Sequence, residues 1–121
     1  MKVWLAIAAI NGFLAVAFGA FAAHGLSDRI DAHALQIFET GARYHMYHAL
    51  AIGLAAMAMR GAPSARWAAG FFLLGIVLFS GSLYLFAITG FHPLVFVTLI
   101  GGLSFLAGWA LLAWAATRIS T

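Results

Sequence analysis

The fold class predicted for this sequence is all-α membrane protein, with four transmembrane helices in an antiparallel bundle. Of its 121 residues, 65% are hydrophobic and only 7% are charged, against roughly 25% charged in a soluble domain. A chain this short leaves a large share of its area exposed, so no water-soluble fold hides so much apolar surface. Four apolar segments, Val3–Ala23, Ala42–Met59, Trp67–Thr89 and Leu94–Ala116, each approach the ~20 residues that cross ~30 Å of hydrocarbon as a helix. None alternates strictly, and alanine and leucine abound, which favours helices over a barrel. Residues 1–121 are read as one domain.

The first segment has a signal-peptide look, with Lys2 ahead of it and Ala20-Phe21-Ala22 resembling a cleavage site. Its apolar core exceeds the usual length, so it is read as a retained helix. Ser27–Gly41 follows as an amphipathic helix on the outer side, capped by Ser27 or Asp28. Ile30, Ala34, Ile37 and Gly41 fall on one stripe, with Asp28, Arg29, Gln36, Glu39 and Arg43 opposite. The apolar side, Ile30, Ile37 and Phe38, is expected to attach this helix to the bundle. No strong break separates it from the second span, and if it runs on, the inner stripe passes through Gly41 to Tyr44 and His48. Gly61-Ala62-Pro63-Ser64 makes the next turn, and Thr89-Gly90-Phe91-His92-Pro93 a turn short enough to force antiparallel neighbours.

Charge placement orients the helices. Lys2, Arg60, Arg66 and Arg118 share one side, while Arg29 and Arg43 lie on the other. The excess of basic residues marks the cytoplasmic face, so both termini are expected there. The net charge of +3 is scattered over segment ends and forms no basic patch, which argues against nucleic acid as a partner. Zero cysteines exclude disulfides, iron-sulfur clusters and thiolate zinc sites.

Polar groups inside hydrocarbon persist only when paired or used, so the run Tyr44-His45-Met46-Tyr47-His48 is the first candidate site. At about 1.5 Å per residue, Tyr44, His45, Tyr47 and His48 share an outer depth with Ser80, Ser82, Tyr84 and Thr98; His24 and His92 sit at the helix ends. The expectation is one hydrogen-bonded layer in which Tyr44 and His48 join the Ser80-Gly81-Ser82 crossing. Asn11 lies nearer the cytoplasmic half and is expected to bond a neighbouring helix. His45 and His48, three apart, share a face as metal ligands sometimes do, but span two offers no carboxylate and no Glu-x-x-His, so no metal is expected. Haem needs axial histidines on opposing helices, and the interiors of the other spans have none, so no cofactor is expected. Gly12, Gly19, Gly75, Gly81, Gly101, Gly102 and Gly108 permit close helix approach.

These pieces together resemble a known family. Gly19-Ala20-Phe21 before His24-Gly25-Leu26, Phe38-Glu39-Thr40, Tyr44-x-Met46-Tyr47-His48-Ala49-Leu50, Phe79-Ser80-Gly81-Ser82-Leu83-Tyr84, Gly101-Gly102 and Gly108-Trp109 are similar to the domain-of-unknown-function 423 family of bacterial inner-membrane proteins, and to animal transmembrane protein 256. Ala22 and Leu99 stand where the family pattern has glycine and proline, and His45 where glutamine is expected. The resemblance implies a four-helix inner-membrane protein and no activity.

The functional expectation is a noncatalytic packing or accessory subunit of a homo-oligomer or larger membrane complex, surrounded by membrane lipids. One alternative is a quinone- or lipid-headgroup-binding protein that uses the outer Tyr/His/Ser layer. A small transporter is disfavoured, because Asp28, Asp31 and Glu39 all lie outside the spans or at their edge.

Overall fold

The computed structural model describes residues 1–119. Four helices, and no strand, occur among the described residues. Helix α1 runs Lys2–Leu26, its last turn, Ala22–Leu26, widened to π geometry. Helix α2 is Ala32–Ala58. Helix α3 is Ala65–Thr89, with a π segment at Ile76–Ser80, and α4 is Leu94–Ala116. Of these, α1, α3 and α4 are long and apolar enough to cross a membrane.

Helix α2 corrects the sequence reading. The segment expected as an amphipathic helix, Ser27–Gly41, is helical only from Ala32, and from there it runs without interruption through the expected span Ala42–Met59 to Ala58 as one helix of 27 residues. Ser27 and Asp28 do not cap it, because they belong to the turn that ends α1: Ser27 Oγ donates back to the Ala23 carbonyl at 3.3 Å, and Arg29 N–H to the Leu26 carbonyl at 2.9 Å. The cap is Asp31, extended at φ −73°, ψ 169°, whose Oδ1 accepts the Ala34 N–H at 2.8 Å. Asp31→Ala is expected to cost about 0.5–2 kcal/mol, read as a lowered unfolding midpoint, whereas Asp28→Ala leaves it unchanged. The helix runs uninterrupted through Gly41. This glycine admits the Tyr84 ring, whose Cε1 would stand 3.0 Å from a Cβ at this position.

The apolar side of the first turns of α2 attaches as expected. Phe38 is buried with Ala22, Leu26 and Ala87, and Ile30, Ile37, Phe18 and Tyr84 pack around them. Helix α2 is the organising element: α1 packs along one side of it, α3 along another, and α4 lies on α3 while touching α2. The main core is mostly alanine (Ala8, Ala51, Ala55, Ala68 and Ala69) with Ile52, Phe72, Ile76 and Phe105 between. Small side chains let helices approach closely where lipid gives no hydrophobic drive.

The α3–α4 seam shows how. Phe105 of α4 lies on Gly75 of α3, and Phe72 of α3 lies on Gly108 of α4, each ring filling the space a Cβ would take. Next along the seam, beyond the Gly75–Phe105 contact, Gly101 meets the backbone of Leu78 and Phe79, inside the π segment. A π turn bulges the backbone outward, and only glycine opposite leaves room for the bulge. Gly90, at φ 67°, ends α3 in the left-handed conformation, its N–H bonded to the Phe86 carbonyl at 2.8 Å.

Candidate functional site

Along α2 the buried arc runs through Phe38, Gly41, Ala42, His45, His48, Ala49 and Ile52, with the i, i+3, i+4, i+7 spacing of one helix face. Both histidines are almost completely enclosed, at 3% and 5% exposure. They are three residues apart and so diverge by about 60°, and they enter different seams.

His45 spans three helices. Asn11 of α1 donates its side-chain N–H to the Ile7 carbonyl at 2.9 Å, which fixes Oδ1 as the acceptor facing His45 Nε2, also at 2.9 Å. His45 therefore carries its proton on Nε2. Its Nδ1 accepts the Tyr84 hydroxyl of α3 at 2.9 Å. Phe18 covers the cluster, its ring centroid 4.9 Å from that of Tyr84.

His48 holds the opposite tautomer. Nδ1–H donates to the Tyr44 carbonyl at 2.8 Å, and Nε2 accepts the indole N–H of Trp109 at 3.1 Å. The ring lies flat on Phe105, with centroids 3.5 Å apart and planes 5° apart. Trp109 stands edge-on to Phe72 at 4.9 Å.

The single expected layer is thus two separate networks and a set of hydroxyl bonds. Tyr44 is 37% exposed and Tyr47 50%, and Tyr44 gives His48 its backbone carbonyl. The expected link from Tyr44 and His48 to the Ser80-Gly81-Ser82 crossing is not formed. The expected inner stripe passes from Gly41 through Tyr44, whereas the buried arc turns the other way, through Ala42 and His45. Ser82 Oγ donates to the Phe79 carbonyl at 2.8 Å and meets Thr98 of α4. Ser80 Oγ is buried and has no partner among the described residues. Ser104 of α4 donates to the Phe71 carbonyl of α3 at 2.8 Å. His24 is exposed at the end of α1. His92 is exposed too, with Nδ1 3.1 Å from the Gly90 carbonyl. Arg43 donates to Thr40 Oγ1 at 3.3 Å. Among the described residues no three His, Asp or Glu side chains converge as a metal site.

Sequence reasoning missed Trp109 and Ser104. An indole N–H inside hydrocarbon needs an acceptor, and the depth of Trp109 in α4 would have pointed to His48. On the face bearing Tyr44 and Tyr47, α2 and α4 diverge around Phe79, leaving a groove of about 430 Å³ walled by Phe105, Leu106 and Trp109, with Gly102 in it.

The family model described as "Protein of unknown function (DUF423)" matches residues 18–102. The UPF0382 inner membrane protein YgdD of Escherichia coli (strain K12) is 49% identical over 117 residues, 95% of this chain and 89% of the relative. The UPF0382 membrane protein YwdK of Bacillus subtilis (strain 168) is 42% identical over 121 residues, 98% of each. A UPF0382 membrane protein of Haemophilus influenzae is 46% identical over 112 residues, 92% of this chain and 90% of the relative. No solved structure matches. Matched over most of its length by the family model and end to end by these relatives, the chain belongs to the DUF423 family of UPF0382 membrane proteins.

Proposed function

We propose that the chain is a four-span bacterial inner-membrane protein with both termini cytoplasmic, acting as a noncatalytic packing subunit of a homo-oligomer or larger membrane complex. The observation that carries this reading is that the two buried histidines are each held on both ring nitrogens by groups of the chain itself. His45 is held by Asn11 and Tyr84, and His48 by Trp109 and a carbonyl. Donors and acceptors satisfied in this way tie helices together and leave no activated nucleophile or base. The outward faces are apolar: Phe13, Val16, Leu50, Leu54, Phe96 and Leu103 are all more than half exposed.

Several features support the four spans and their orientation. Helix α2, at 27 residues, extends about 40 Å, enough to cross ~30 Å of hydrocarbon with its first turns among the headgroups. The two histidines in its middle, His45 and His48, face protein rather than lipid, which is how such residues are accommodated in a membrane. Basic residues meet tryptophans at one end, with Arg66 over Trp67 at 5.3 Å and Arg118 over Trp114 at 5.6 Å, the pattern of a cytoplasmic interface. The Escherichia coli relative bears the words inner membrane in its name. Cysteines introduced at Ser27 and Ser64 should be labelled from outside intact cells only at Ser27; selective labelling at Ser64 overturns the orientation.

The packing role is supported by α1, which rests chiefly on α2 and keeps Gly12 and Gly19 with open space where a side chain would be. Purification in native-membrane nanodiscs with mass spectrometry should recover more than one copy, or a stoichiometric partner. A solitary monomer overturns the reading.

A further inference from the structure

We propose that the groove between α2 and α4 binds the ring of an isoprenoid quinone, a neutral carbonyl-bearing head on an apolar tail. The inference is independent of oligomeric state. It rests on the shape, chemistry and placement of the groove.

The shape follows from the packing. Helices α2 and α4 both lie on α3 and touch each other only lightly, so a cleft opens along their outer edge. The His48–Trp109 hydrogen bond bridges it, and the stack of His48 on Phe105 sets its floor. Gly102 keeps it hollow. A Cβ there would lie 3.8 Å from the Phe79 ring, an ordinary contact, so the absence of a side chain preserves the groove and is not required by helix packing.

The chemistry selects the occupant. The lining includes no charged residue, so a phosphate head would enter without a counter-charge, at heavy desolvation cost. Its walls are aromatic rings, which favour a flat conjugated head. Both nitrogens of His48 are occupied, and Tyr84 spends its hydroxyl on His45. The donors left to a ligand are the Tyr44 and Tyr47 hydroxyls, on rings 5.4 Å apart at the edge of the groove. Two neutral donors beside an aromatic slot match a ring with carbonyl acceptors. The groove opens on the apolar perimeter, beside Leu103 and Leu106, which are exposed at 65% and 66%, so an isoprenoid tail leaves directly into lipid.

The test is equilibrium binding of radiolabelled ubiquinone-1 to the whole protein in phosphatidylcholine nanodiscs, with empty nanodiscs as background. Saturable binding of one quinone per chain is expected. The double variant Tyr44→Phe, Tyr47→Phe should weaken it about 10-fold, and Gly102→Leu should abolish it with the unfolding midpoint kept. Gly12→Leu, in the separate groove between α1 and α2, should leave it unchanged. Excess monoolein, a neutral acyl lipid with no ring, should not displace the quinone. Uptake that does not saturate, or that is equal in all variants, overturns the proposal. So does displacement by monoolein at equal concentration, which would assign the groove to an acyl chain.

Discussion

Gly101→Ala should destabilise the protein by about 3 kcal/mol or more, the upper end of the range for overpacking a core. An added Cβ would stand 2.7 Å from Phe79 Cα and 2.8 Å from the Leu78 carbonyl carbon. These are backbone atoms of a π segment, so no rotamer change relieves the clash and α4 must move away from α3. That movement also withdraws Phe105 from Gly75 and Phe72 from Gly108, and with Phe105 goes the surface on which His48 lies. A loss of this size is a large fraction of the 5–15 kcal/mol typical of a folded domain.

Other glycines give a graded control in the same measurement, reversible unfolding in mixed detergent. Gly75→Ala and Gly108→Ala press on the rings of Phe105 and Phe72, side chains that can yield, so they should cost less than Gly101→Ala. Gly12→Ala and Gly19→Ala meet nothing within 4 Å and should be neutral or slightly stabilising, since alanine is the better helix former. If Gly101→Ala unfolds at the same midpoint as Gly12→Ala, the close backbone approach is not what holds α3 and α4 together.

That contrast also shows what a sequence of this kind discloses. Hydropathy and turn residues place the helices well, because a bilayer leaves the backbone few alternatives. The ends of α1, α3 and α4 fall within a few residues of the segments read from composition. Which glycines act at crossings is invisible in composition: Gly12 and Gly101 look alike in sequence, yet only one faces a backbone. Helix phase is the second hidden quantity. A stripe starting at Gly41 extends through Tyr44 or through His45, and the choice depends on the directions from which α1 and α3 approach. The structure buries His45 and leaves Tyr44 exposed. His48 lies near both stripes, so its burial was legible while its partner, Trp109 on α4, was not.

The tautomer assigned to His45 leads to a second large effect and to its rescue. His45→Leu fills much of the ring's volume but leaves Asn11 Oδ1 and the Tyr84 hydroxyl facing a side chain that neither accepts nor donates. Leaving a buried polar group unpaired costs about 1–3 kcal/mol. Interhelical hydrogen bonds in membranes average only about 0.6 kcal/mol when the unfolded chain finds other partners. Here both orphaned groups are enclosed between α1, α2 and α3 under Phe18, which favours the higher range, and a loss of about 2 kcal/mol is expected. His45→Gln should recover most of it. Glutamine offers an acceptor oxygen and an N–H donor bonded to one carbon of a planar group, as an imidazole that donates from Nε2 and accepts at Nδ1 carries its two nitrogens on one ring carbon. The amide can therefore donate to Asn11 and accept from Tyr84. A double-mutant cycle of His45→Leu with Tyr84→Phe isolates one arm of the network, and a coupling of about 1 kcal/mol is expected for residues in direct contact. If glutamine is as damaging as leucine and the cycle shows no coupling, His45 acts through its shape alone, and the hydrogen-bonded chain from α1 to α3 contributes nothing to stability.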